Sequence, residues 1–165
     1  LPSPPALWAQ ARARWALLLA SPEGGTRIAR GVAAGAAAAM LPAFGLHLVF
    51  AGAFALVLRG SLPVAAGICL GLGNPLTHLF LLPAEFALGR ALLPPGADIL
   101  PSHGPAWLMA ALPAAEETAL GGAIFALVAG ALGWWAARRA LVAAERRNAV
   151  RHRQGNLPPG PLPGG

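Results

Sequence analysis

The chain has no lysine, and only 11% of its 165 residues are charged. Twelve arginines stand against six acids, and two long tracts, 31–58 and 60–84, contain no charge of either sign. Soluble domains carry about a quarter of their residues as charges, so the composition departs from soluble averages in the direction of a polytopic membrane protein. The lone cysteine, Cys69, has no partner for an intramolecular disulfide and reads as a small core residue within the second tract. Catalytic motifs are missing too. Gly71-Leu72-Gly73 is no phosphate loop, because no strand precedes it and no Lys-Ser/Thr follows. There is no nucleophile elbow and no zinc-binding helix motif, and Ser102-His103 stands alone. His47, Cys69, His78 and Glu85 lack recognisable ligand spacing. The expectation is a protein that is no enzyme and uses neither metal nor cofactor.

What is present is hydrophobic length. The residues are 56% hydrophobic and the mean hydropathy is +0.61. A helix needs about 20 apolar residues to cross a hydrocarbon core about 30 Å thick, and each tract is long enough to engage one. Both are interrupted: the first at Pro42-Ala43-Phe44-Gly45, the second at Gly73-Asn74-Pro75. A third uncharged tract, 118–137, suffices for one crossing.

Arginine placement sets the expected topology. Arg12, Arg14, Arg27 and Arg30 precede the tracts, six arginines from Arg138 to Arg153 follow the last, and no basic residue falls between Arg90 and Arg138. By the positive-inside rule both termini are cytoplasmic and the segment around Asp98 and His103 is outside. An even number of crossings follows, so one broken tract must enter and leave on the same side. The first is favoured: folding at Pro42 to Gly45 returns Arg59 to the cytoplasmic face, with arms of about 13 residues, or about 20 Å, that pass the midplane without spanning.

The expected fold is therefore all-α integral membrane, with four regions. Residues 1–25 form an interfacial amphipathic helix and turn, with Trp8, Ala11, Trp15, Leu18 and Leu19 on one face and Arg12 and Arg14 away from it. Residues 26–137 form the membrane domain: a re-entrant helical hairpin broken at Pro42, a proline-broken crossing helix and one further crossing helix. Pro113, Glu116 and Glu117 fit the first turn of that last helix. Residues 138–154 form a basic cytoplasmic helix against anionic lipid, following Trp134 and Trp135 at the inner interface, and 155–165 a disordered Pro/Gly tail. The first apolar segment carries Arg12 and Arg14 without a small-residue cleavage pattern, so no signal peptide is expected in it. The arginines orient the chain in a bilayer, and no nucleic-acid partner is expected.

Polar groups are rare in these tracts, and they cluster at the breaks. His47 follows the first break, Asn74, Thr77 and His78 surround the second, and Glu85 lies on the face of His78 at i, i+7 spacing. Broken helices free backbone carbonyls and amides, which persist in lipid only when buried in protein or lining a wet cavity. Where breaks at Pro42, Gly45, Gly73 and Pro75 meet, His47, Asn74, Thr77, His78 and Glu85 are candidates to bind a small polar solute or an ion. The bland alternative makes Asn74 and Thr77 caps, gives the histidines interhelical hydrogen bonds and pairs Glu85 with Arg90.

Ser21-Pro22, Ile28-Ala29-x-Gly31-x-Ala33-x-Gly35, Leu41-Pro42-x-x-Gly45, Arg59-x-x-Leu62-Pro63 and Asn74-Pro75-Leu76-Thr77 with Gly89 occur in that order. Over about residues 21–93 this run resembles a bacterial family known as domain of unknown function (DUF) number twenty sixty-two. The resemblance implies a short, multi-pass bacterial inner-membrane protein of uncharacterised activity. It departs from the family pattern at Ser61, His47 and Glu85. Two functions are expected to compete: solute or ion translocation at the paired breaks, and a non-catalytic accessory subunit packed on a larger membrane complex. Two crossings enclose little, so a homo-oligomer or membrane-protein partner is expected. For the topology, cysteine at Ser102 should react with an impermeant maleimide from outside intact spheroplasts and cysteine at Gly155 only after lysis; the reverse pattern would invert the assignment.

Overall fold

The computed structural model describes residues 24–43, 45–94 and 104–155, with side chains as far as Asn148, together with Ala9, Gln10 and Ala13. Five helices follow one another and, among the described residues, there is no strand: α1 (Gly24–Ala39), α2 (His47–Val57), α3 (Leu62–Leu72), α4 (Pro75–Leu92) and α5 (Ala106–Gly155). Ala9, Gln10 and Ala13 are helical and exposed. The rest of the expected surface helix, the segment around Asp98 and His103, and the tail beyond Gly155 lie outside the described residues.

α1 and α2 form a hairpin closed at 40–46. Pro42 cannot continue the helix because it lacks an N–H and its ring clashes with the preceding turn. Gly45 then takes φ +80, a conformation open to glycine. α2 ends in a Schellman motif: Gly60 N–H donates to the Ala55 carbonyl at 2.7 Å and Arg59 N–H to that of Leu56 at 3.1 Å. Arg59 occupies the left-handed position, φ 54, usually given to glycine, at about 1–2 kcal/mol. Glycine is needed one residue later, since a Cβ on Gly60 would press 2.7 Å from the Gly31 nitrogen. The Ser61 N–H donates to the Arg27 carbonyl at 3.0 Å, so the hairpin exits beside the start of α1.

α3 then runs alongside α1. A Cβ on Gly31 would sit 2.7 Å from the Ser61 carbonyl oxygen, and one on Gly35 would collide with the Ala65 carbonyl. This small-residue pair lets the two backbones touch, and alanines fill the space around them: Ala34, Ala38, Ala39, Ala51, Ala55, Ala65 and Cys69 form the buried core, with Met40, Phe50 and Phe54 against it. Gly67 and Gly71, the second pair at the same spacing, have nothing within 4 Å of a Cβ.

α4 leaves α3 at an angle of 79° and packs against α5. Backbones again meet directly: a Cβ on Gly89 would overlap the Glu117 carbonyl, and one on Gly121 the Glu85 carbonyl. The pairing 85 with 121 and 89 with 117 makes the two helices antiparallel. Farther along, α5 lays Gly130 on Ala33 and Ala37 and Gly133 on Val32 and Ala36, and Arg138 Nη1 donates to Thr26 Oγ1 at 3.4 Å. One helix thus braces both halves of the molecule.

Ala106–Asn148 is long and apolar enough to cross a membrane, and the bent pair α3 and α4 passes the same test jointly. Only 22% of the most apolar window of α5 is buried in the fold, while Leu127 and Phe80 remain 75% and 72% exposed. One sequence expectation needs correction. The last helix starts at Ala106, after Gly104-Pro105, because Leu108 and Met109 N–H groups already bond the Pro105 carbonyl. Pro113 is therefore inside the helix and Glu116 is buried at 6% exposure, not in a first turn. The basic segment from Arg138 is helical, as the sequence suggests, and continues α5 without a break, while α1 begins at Gly24.

Gly121→Ala should lower the thermal midpoint in detergent micelles, by an overpacking penalty of about 1–3 kcal/mol. Gly67→Ala should leave it unchanged or raise it, since helix propensity improves by up to about 1 kcal/mol with nothing in the way.

Candidate functional site at the two helix breaks

The two breaks come together around one main-chain oxygen. With Pro42 ending α1, the Leu41 carbonyl has no helical partner and accepts from the Ala43 N–H at 2.8 Å. His47, first residue of α2, places Nε2 3.0 Å from the same oxygen, and His78, in the first turn of α4, places its Nε2 3.4 Å away. The two imidazole nitrogens are 3.1 Å apart, the rings edge to face with centroids at 4.8 Å.

Acceptors around His78 assign its tautomer. Nδ1 lies 3.2 Å from the Asn74 carbonyl, which can only accept, so Nδ1 carries the hydrogen. In the neutral ring Nε2 is then an acceptor, and His47 Nε2–H is left to donate, shared between His78 Nε2 and the Leu41 oxygen.

Asn74 holds the second break. It precedes proline and is extended, φ −98 and ψ 160, as that position favours. Its Oδ1 accepts the Thr77 N–H at 3.0 Å and its Nδ2 donates to the Gly71 carbonyl at 3.3 Å, capping α4 and closing α3 with one side chain. Pro75 sits at the helical start, where no N–H is needed. On the far side, Cys69 Sγ donates to the His47 carbonyl at 3.5 Å, tying α2 to α3.

Glu85 lies two turns beyond His78 on the same buried face. It is 0% exposed, and neither carboxylate oxygen has a hydrogen-bond partner among the described residues. A Cβ on Gly122 would stand 3.4 Å from its carboxyl carbon and against the Pro42 ring, which locates the group behind the first break. Arg90, the partner of the bland alternative, instead lies over Phe86 at 6.0 Å. A carboxyl in such a place either carries a proton or holds a cation.

Of the five sequence candidates, the structure brings His47 and His78 into contact, with Glu85 on the same face and Asn74 contributing its main-chain carbonyl. The Asn74 side chain and the Thr77 N–H serve the helix cap. Sequence reasoning missed the Leu41 carbonyl, for which Pro42 was the available signal, and missed Gly121 and Gly122, which no pattern marked. Among the described residues no three His, Cys, Asp or Glu side chains converge to hold a metal ion.

An all-helical chain with a long apolar helix, an angled helix pair and a polar centre at its breaks is the class these observations define. The chain belongs to the bacterial family described as uncharacterized protein conserved in bacteria (DUF2062), whose model matches residues 8–149. The match reaches well past the 21–93 of the sequence resemblance and includes the third apolar tract and most of the basic segment. No curated protein and no solved structure matches the chain.

Asn74→Ala should destabilise the fold by about 1 kcal/mol through loss of the cap, measured by thermal unfolding in micelles, and Asn74→Asp should retain most of that stability.

Proposed function

We propose that this protein spans the bacterial inner membrane several times and binds and translocates a small polar solute or ion, specifically a cation or proton, at the paired helix breaks. The observation that carries the proposal is Glu85, fully enclosed with both oxygens unpartnered among the described residues, two turns along the buried helix face from His78, whose imidazole meets that of His47 over a freed carbonyl. The Glu85 carboxyl and the Leu41 carbonyl present oxygen acceptors, which favour positive charge. In this reading the acid, imidazoles and carbonyl act as a relay.

The same geometry supports a membrane placement. Arg27, Arg30 and Arg59 lie at the end of the α1–α2 hairpin, and Arg138 and Arg139 on α5 share it, stacked over Trp134 at 5.6 Å and Trp135 at 4.4 Å. Read as the cytoplasmic interface, with anionic lipid against it, this layer puts Gly122 and the polar centre about 24 Å deep, past the midplane. The α1–α2 hairpin is then re-entrant, while α3 with α4 and α5 are the two crossings, both termini being cytoplasmic.

A second reading, an accessory subunit in a larger complex, is favoured by Gly67 and Gly71 of α3, whose open face suits another helix. The same face would serve a homo-oligomer. Purification in mild detergent separates them: a stoichiometric foreign partner supports the accessory role, a lone homo-oligomer the transport role.

Proteoliposomes loaded with pyranine and given an outward Na⁺ or K⁺ gradient should change internal pH when they hold the wild type. Glu85→Gln and His47→Leu, recovered at equal levels, should respond at least about tenfold more slowly, as expected for an ionisable group on an intramembrane path. No response from the wild type, or an equal response from Glu85→Gln, would reject the proposal.

A further inference from the structure

At the opposite end from the polar centre, Arg27, Arg30 and Arg59 converge on one cleft of about 790 Å³, which Ala55, Gly60 and Ser61 also line. Among the described residues no acid lines it, and none of the three arginines makes an ion pair with a described residue. Ser61, at 4% exposure, is the N-cap of α3, yet its side chain makes no capping hydrogen bond. The cleft therefore joins three guanidinium groups to a hydroxyl not spent on its own helix.

Orientation in a membrane requires arginines at this end but not their convergence, since the rule counts charges and is indifferent to where they point. Two features fix the convergence here. The Schellman motif holds Arg59 in the left-handed conformation beside Gly60, and the Ser61 N–H bond to the Arg27 carbonyl brings the end of α2 against the first turns of α1. Like charges gathered without a counter-charge among the described residues repel, and guanidinium groups match phosphate oxygens in planar, two-pronged hydrogen bonds. We infer that this cleft is a binding site for a phosphate group, held by Arg27, Arg30 and Arg59 with the Ser61 hydroxyl. The group belongs either to a lipid headgroup or to a soluble phosphate. The inference stands apart from the transport reading, because it concerns the other end of the hairpin.

Arg59→Gly is the informative variant, since glycine is the residue its backbone conformation favours and the fold should keep its stability. Wild type and variant would be placed in nanodiscs of phosphatidylcholine and titrated with inorganic phosphate, and separately in nanodiscs containing phosphatidic acid, following the thermal midpoint. A rise with inorganic phosphate identifies a soluble ligand, and a rise with phosphatidic acid alone identifies a lipid phosphate. Either response should need at least about tenfold more ligand in Arg59→Gly, the loss expected for one charge-assisted contact, and should persist in Arg139→Gln. No shift of the wild type with either probe, or an undiminished shift in Arg27→Gln/Arg30→Gln/Arg59→Gly, would overturn the inference.

Discussion

A carbonyl released from a helix inside an apolar protein must find donors nearby, and the Leu41 oxygen is where this fold meets that demand. Proline at 42 ends α1 and leaves the oxygen bare of its helical partner; the Ala43 N–H and the His47 imidazole reach it, with His78 next in line. Those contacts set where α2 begins and how α4 approaches. Left unsatisfied, a buried carbonyl is penalised by several kcal/mol in lipid-like surroundings, comparable to the whole margin by which domains stay folded. The polar centre is thus a structural necessity of the break as well as the place where chemistry is available.

Around that centre the fold is assembled by omission of side chains. Gly31 and Gly35 admit α3 to α1, Gly89 and Gly121 admit α4 to α5, and Gly122 admits Pro42 and the Glu85 carboxyl. Alanine supplies most of the remaining core. Interfaces of this type draw on close van der Waals contact between backbones, and the outer surfaces of α4 and α5 stay exposed and apolar.

The sequence showed the broad outline because its signals were local. Prolines, absent charges and helix breakers announced where helices would stop, and the i, i+7 spacing put His78 and Glu85 on one buried face. The Asn-Pro-x-Thr run announced a cap, and it is one. What stayed hidden was long-range. Nothing in 113–117 distinguished a first turn from a mid-helix stretch, because proline and acids fit both, and only Gly104-Pro105 marked the true start. The union of Leu41 with His78, 37 positions apart, and of Glu85 with Gly121 depends on how helices dock, which a single periodicity does not encode.

The length of α5 has a mechanical consequence. Its 50 residues make a rod about 75 Å long, more than twice a hydrocarbon core, and one unbroken body touches Thr26 near one end of α1 and the Glu85 segment of α4. Its contacts with Thr26, through Arg138, and with Glu85, through Gly121, are 17 residues apart, so about 25 Å of one helix sets the spacing between the arginine rim and the buried acid.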